Sequence, residues 1–292
     1  MLQYTFPTQI KQEKINVHIT HSNAPQPFQL RYGFSERVFD KQKNTHVMTA
    51  TYSPTKKFTE RFPMKVDSEY YNILEILCSL ELVRTKTNTA VICNGQSGAT
   101  HALTDYLGDE NQPRILSDGM TDKFDIIVGV RVHNEVEQSL SKCILTDVIQ
   151  SLKSLNENGT LILKITSAYT QASFDIINIL TRSFAKVSMV KPTLSNACTH
   201  EKYLVCMDFN GCELITTRTG TGDYIKTVTL SPTDSADTLV SALCDANRIF
   251  SKALYKSLIH ALYMAQHPQV QQKGPGPHDN AYDLFSKVIP AV

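Results

Sequence analysis

A few small groups of residues have the types and spacing to do chemistry. The loop Asn94-Gly95-Gln96-Ser97-Gly98-Ala99-Thr100 follows the apolar run Ala90-Val91-Ile92-Cys93 and leads into a helical stretch near His101. Gly95 and Gly98, with Gln96 between them, would let the backbone approach an adenosine or a phosphate. An ordinary strand-to-helix turn has the same composition, and both readings stay open. Arg131 and His133 lie just past a second apolar run. With Lys164, Lys191 and His200 they could form a small basic patch for RNA phosphates, or remain separate solvated loop residues. Tyr70 and Tyr71 could stack on a base or pack at a helix start. Cys198, Cys206 and Cys212 lack the paired CxxC spacing of a zinc site, so no metal is expected.

These residues need a scaffold, and the hydrophobic pattern supplies one. Short apolar runs at 90–93, 124–130 and 160–165 read as strands buried on both faces. Between them, helical periodicity marks Ser139 to Leu155, with Asn156 to Gly159 as its stop, and later Ala172 to Ser183. An earlier helix starts near Ser68, with Ile73, Ile76, Leu77 and Leu80 at helical spacing. Strands at 186–190 and 202–207 complete a β-α-β-α-β-α-β-β order. Alternation of this kind predicts an α/β fold, an open parallel sheet with a late antiparallel addition.

The flanks differ. Residues 1–65 read as a β-rich N-terminal region, with period-two alternation at 15–20, 28–32 and 46–52. Residues 213–292 read as a mostly helical extension. In it, Arg218 to Asp223 is expected to be a loop, Tyr224 to Leu230 a strand, and one or two helices to follow Ser231. A mobile segment is expected near 266–278.

Composition narrows the classes. A formal net charge of +1 in 292 residues argues against a globally basic nucleic-acid binder and leaves room for a local basic face. No apolar run reaches the ~18 residues of a membrane span. The N-terminus does not read as a signal peptide. Seven cysteines, an odd number, several of them in apolar patterns, read as reduced thiols of a cytoplasmic protein.

The stretch Asn158-Gly159-Thr160-Leu161-Ile162-Leu163-Lys164, then a helix, then Val187 to Pro192, a Ser/Asn/Thr loop and Glu201-Lys202-Tyr203-Leu204-Val205 resembles the back half of the FtsJ-type RNA 2'-O-methyltransferase family. The resemblance covers about 120 residues. It implies a Rossmann-like S-adenosylmethionine methyltransferase sheet over residues 66–212. It also implies a Lys-Asp-Lys-Glu tetrad whose third and fourth members would be Lys164 and Glu201. The other two are missing: Val130 or a neighbour stands where the aspartate belongs, and the first lysine falls between Glu69 and Asn72. Lys65, about one turn earlier, is the candidate substitute. The cofactor loop keeps Gly95 and loses its opening acid. Only 112–116 remains of the two strands expected before Phe124. A similarly shortened domain, regarded as inactive, occurs in the alphavirus nonstructural protease-helicase, which also has the Lys191-Pro192 pair.

A ribose hydroxyl is activated by a base, and a lysine serves only as the free amine. A carboxylate beside it favours the ammonium. With half the tetrad absent, the resemblance implies a degenerate, non-catalytic domain of a viral replication protein, acting in the host cytoplasm. Its partners would be RNA or other replication proteins, not DNA. Two alternatives remain. One is an active RNA cap 2'-O-methyltransferase with a rearranged site, which would use S-adenosylmethionine; the degenerate domain needs no cofactor. The other is a structural module of a polyprotein.

Overall fold

The computed structural model describes residues 1–8, 13–23, 68–80, 88–93, 97–108, 112–117, 119–131, 137–166, 168–222, 224–231 and 237–266. The expected strands at 28–32 and 46–52 and the segment expected to be mobile, beyond Gln266, lie outside these residues, as do Lys65, Gly95, Gln96 and His133. The chain begins with strands β1 (Leu2–Phe6) and β2 (Lys14–Ser22), then helix α1 (Ser68–Ser79). The alternating part follows: β3 (Thr89–Ile92), α2 (Gly98–Leu107), β4 (Arg114–Ile115), β5 (Phe124–Gly129), α3 (Glu137–Ser154), β6 (Leu155–Ile165), α4 (Gln171–Ser183), β7 (Phe184–Lys191) and β8 (Lys202–Phe209). It closes with β9 (Glu213–Thr219), β10 (Tyr224–Ser231) and α5 (Asp237–Gln266).

Seven strands form one sheet in the order β1-β7-β8-β6-β5-β3-β4. Strands β4, β3, β5 and β6 are parallel, β8 is antiparallel to both β6 and β7, and β1 is antiparallel to β7. This is the α/β, Rossmann-like sheet that the alternation predicted. The apolar runs are continuous because both faces are covered. Ile126, Val128 and Ile162 pack on one side with α1 and α2. Ile127, Leu161 and Leu163 pack on the other side with α3 and α4. Each such side chain contributes ~1.5–3 kcal/mol on burial. The order turns outward in both directions from β3 and β5, so the C-terminal ends of those strands form the crevice where such sheets take ligands.

Several local expectations are corrected. The expected helix stop at Asn156–Gly159 lies inside β6, as a bulge against β5: the pairing skips from Phe124↔Leu155 to Ile126↔Thr160. Asn158 takes a φ of 60° there, and the Asn156 amide donates to Asp125 at 2.9 Å. Gly159 is needed at this point, since a Cβ would sit 2.7 Å from the Asn156 carbonyl oxygen. Arg218 and Thr219 of the expected loop belong to strand β9 while Gly220 to Gly222 lie between strands, and the C-terminal helix, expected as one or two, is a single element of 30 residues.

The two flanks also meet. Strand β2 pairs in parallel with β9 and antiparallel with β10 to make a second, three-stranded sheet. Its buried face, Ile15, Val17 and Ile19, is at most 1% exposed. That sheet lies over α3 and α4, so the layers run α1/α2, large sheet, α3/α4, small sheet.

Candidate functional site

Helix α1 crosses the C-terminal edge of the large sheet with three polar residues at a spacing of three: Glu69, Asn72 and Glu75. All are buried, at 6%, 1% and 3% exposure. Spacing of three keeps them on one stripe of the helix. Each meets a different part of the edge. Glu69 reaches Lys164 on β6, with Oε1 at 3.3 Å from Nζ. Asn72 donates to Glu201 Oε1 at 3.0 Å and to the Tyr203 hydroxyl at 3.3 Å. Glu75 accepts the backbone N–H groups of Thr193 and Leu194 at 2.9 and 3.0 Å.

Lys164 therefore stands between two carboxylates. Glu201 Oε2 is 3.4 Å from its Nζ on the side opposite to Glu69 in the chain order, contributed by the residue just before β8. Tyr203 donates its hydroxyl proton to Glu201 Oε1 at 3.1 Å. Burial, then the charges of Glu201 and Glu69, holds the Tyr203 phenol well above the ordinary tyrosine range, so it stays a donor. The other oxygen of Glu69 accepts from Ser97 Oγ at 2.6 Å. Ser97 also caps α2, accepting the Ala99 N–H at 3.1 Å. The network thus ties α1, the end of the post-β3 loop, β6 and β8 together.

Glu69 falls in the window where the resemblance calls for the first lysine, so the charge at that place is inverted. The sequence reading picked out Lys164 and Glu201 and left Glu69, Asn72, Ser97 and Tyr203 without a role. The Glu-x-x-Asn-x-x-Glu stripe on an otherwise apolar helix was the signal available.

The remaining cations expected at this edge turn inward. Lys191 donates to the carbonyl oxygens of Asn196, Thr199 and Glu201, each at 3.0 Å. Burial lowers its ammonium to about 8, with Glu201 and Cys198 opposing. Lys202 donates to the carbonyls of Thr166 and His200 at 3.0 Å. Arg131 pairs with the buried Asp147 of α3 at 3.2 Å. Strands β6 and β8 lie between β5 and β7, so Arg131 and Lys191 are about 14 Å apart along the sheet. The described residues do not gather them into one basic patch.

Past β3, Gly98 opens α2, and the first free N–H groups of that helix go to Ser97: Ala99 to its hydroxyl, Thr100 to its carbonyl. Past β4 come Leu116 and Ser117, followed in the sequence by Asp118, an acid that lies outside the described residues. No described group of three or more His, Cys, Asp or Glu side chains could hold a metal. No described helix is long and apolar enough to cross a membrane.

Residues 81–209 match the FtsJ-like methyltransferase family. Over 78 residues, 26% of this chain, the sequence is 28% identical to the cap-specific mRNA (nucleoside-2'-O-)-methyltransferase 1 of Drosophila melanogaster. Over 81 residues it is 28% identical to the cap-specific mRNA (nucleoside-2'-O-)-methyltransferase 2 of Mus musculus. The matches span only 10% and 11% of those relatives. Among solved structures, the alphavirus P23pro-zbd is similar at 16% identity and a TM-score of 0.33, over 46% of this chain and 22% of that one. A phosphoethanolamine-type N-methyltransferase 2 of Haemonchus contortus, bound to S-adenosylhomocysteine, is similar at 16% identity and a TM-score of 0.31, over 46% and 37%. The strand order and the family match together identify residues 81–209 as an FtsJ-like methyltransferase domain in fold.

Proposed function

We propose that this FtsJ-like domain does not transfer methyl groups and serves as an RNA-binding module. The observation that carries the first half is the ion triad Glu69–Lys164–Glu201. The window of the first tetrad lysine holds Glu69, which ion-pairs with Lys164 Nζ at 3.3 Å while Glu201 does so at 3.4 Å, so the retained lysine ties α1 and β8 to the sheet edge. The hydrogen-bonded N-terminus of α2 supports the same reading. RNA as the partner is supported by the similarity to two cap-specific mRNA methyltransferases. We further place the domain within a viral replication protein acting in the host cytoplasm, a reading supported by its shortened strand set and by the Lys191-Pro192 pair. Other replication proteins are its further candidate partners.

A second reading has one specific observation in its favour. Lys164 and Glu201, the two retained tetrad positions, lie side by side. An active RNA cap 2'-O-methyltransferase would need S-adenosylmethionine as methyl donor, with Lys164 as the positioned amine and Lys65 as its candidate helper.

Calorimetric titration with S-adenosylmethionine and S-adenosylhomocysteine separates the two, followed by a methyl-transfer assay on capped RNA. The non-catalytic reading expects no heat at millimolar ligand and no transfer. Micromolar binding with transfer that is lost in Lys164→Ala overturns it.

A further inference from the structure

The cations at the sheet edge are consumed internally, whereas Lys252 and Lys256 of α5 face solvent. The buried stripe of this helix is Leu239, Leu243, Ala246, Phe250, Leu254 and Leu258. The opposite side carries two adjacent ridges at i, i+4 spacing. One is basic: Arg248, Lys252, Lys256 and His260. The other is aromatic and apolar: Tyr255, Ile259 and Tyr263, exposed by 39%, 47% and 48%. The ridges line an open cleft of about 730 Å³.

Three features point to a polyanion with flat faces. First, residues 246–266 contain no Asp or Glu, so Lys252 and Lys256 have no carboxylate at i±3 or i±4. Arg248 pairs on the helix with Asp245 at 3.0 Å, both side chains being half exposed. Second, the lysines sit two or more turns from Gln266, so the helix dipole, which acts within the last turn, does not account for them. Third, side chains four apart on a helix are spaced by ~6 Å, close to the step of an extended nucleic-acid backbone. The aromatic ridge keeps the same step beside the basic one, and base stacking on such rings does not depend on sequence.

We infer that the outer face of α5 binds single-stranded RNA, with Lys252 and Lys256 on phosphates and Tyr255 and Tyr263 under bases. This deepens the RNA reading above and moves the contact away from the methyltransferase crevice to the C-terminal helix. Tyrosine, in place of Phe, Trp or Leu, and a single aliphatic residue favour RNA over a membrane surface.

The test is fluorescence anisotropy of a labelled 12-nucleotide oligouridylate with the full chain at 50 to 200 mM salt. Binding should weaken with a log–log salt slope of about 1.4, as ~0.7 per phosphate for the two lysines requires. Lys252→Ala/Lys256→Ala should weaken binding at least tenfold and flatten that slope. Tyr255→Ala should weaken it about fivefold or more with the slope unchanged. Lys14→Ala, an exposed lysine on β2, should change nothing, and circular dichroism should be the same for all variants. Wild-type binding that both α5 variants keep overturns the assignment to α5 and leaves the RNA reading standing. No wild-type binding even at 50 mM salt overturns both. Binding of anionic phosphatidylserine vesicles without RNA binding, or self-association lost in Tyr255→Ala without RNA binding, also overturns the inference.

Discussion

The C-terminal edge of the large sheet and the outer face of α5 both carry several cations, and they use them in opposite ways. At the edge, Lys164 is clamped by two carboxylates, Lys191 by three carbonyls, Lys202 by two more, and Arg131 by Asp147. On α5, Lys252 and Lys256 face solvent beside exposed tyrosines. A buried charge must be paired, or its desolvation is not recovered. An exposed one adds little stability and is open to a ligand. The edge's charges hold the fold, and Lys252 and Lys256 of α5 lie open to solvent.

The largest effect that would break this contrast is at Lys164. Lys164→Met leaves Glu69 and Glu201 facing each other without a counter-charge and should cost about 3 kcal/mol in urea unfolding. A loss below about 1 kcal/mol would mean the triad is not structural, and would return Lys164 to the catalytic reading. Next comes Arg131→Ala. It removes the ion-pair partner of the Asp147 carboxylate, whose side chain is 4% exposed, and should cost about 2 kcal/mol. Restoration by Arg131→Lys would mark the charge rather than the fork as what matters.

Lys191 sharpens the comparison through pH. Burial sets its folded value near 8, against an ordinary 10.5 in the unfolded chain. Below about pH 8 the ammonium is charged in both states and adds no pH dependence. Between about 8 and 10.5 the unfolded chain holds a proton that the folded chain has released, so this group makes stability rise with pH. From pH 7.5 to 9.5 the wild type should gain on the order of 1–2 kcal/mol relative to Lys191→Met. Parallel pH curves for the two proteins would show that the ammonium is not desolvated. The smallest effect is on the other side of the contrast: Lys252→Ala should change stability by less than about 0.5 kcal/mol. A larger loss in thermal unfolding would make Lys252 part of the packed structure and count against the outer side of α5 as a docking face.

Much of the scaffold is legible in sequence because its signals are local. The runs at 90–93, 124–130 and 160–165 have the continuous apolar character of doubly covered strands, and each falls within a strand of the parallel set or adjoins its end. Lys164 and Glu201 could be picked out from motif order, yet their neighbours could not. Glu69 lies 95 residues from Lys164, and no periodicity within α1 says which strand its buried carboxylate will meet. Lys191 and Arg131 were legible as charges but not as directions. A basic residue at the end of a strand points to solvent or folds back on carbonyls according to the loop it meets.

The amino-acid sequence by itself determined the alternation of strands and helices and which faces of each are apolar. These follow from side-chain period and composition, which act within a few residues. Only the tertiary structure decided that β1 joins the far edge of the large sheet, that β2 recruits the polar β9 and β10, and that Glu69 stands opposite Lys164. Those depend on pairing between segments separated by up to about 200 residues, where register is set by the surface each strand must cover and not by its own pattern.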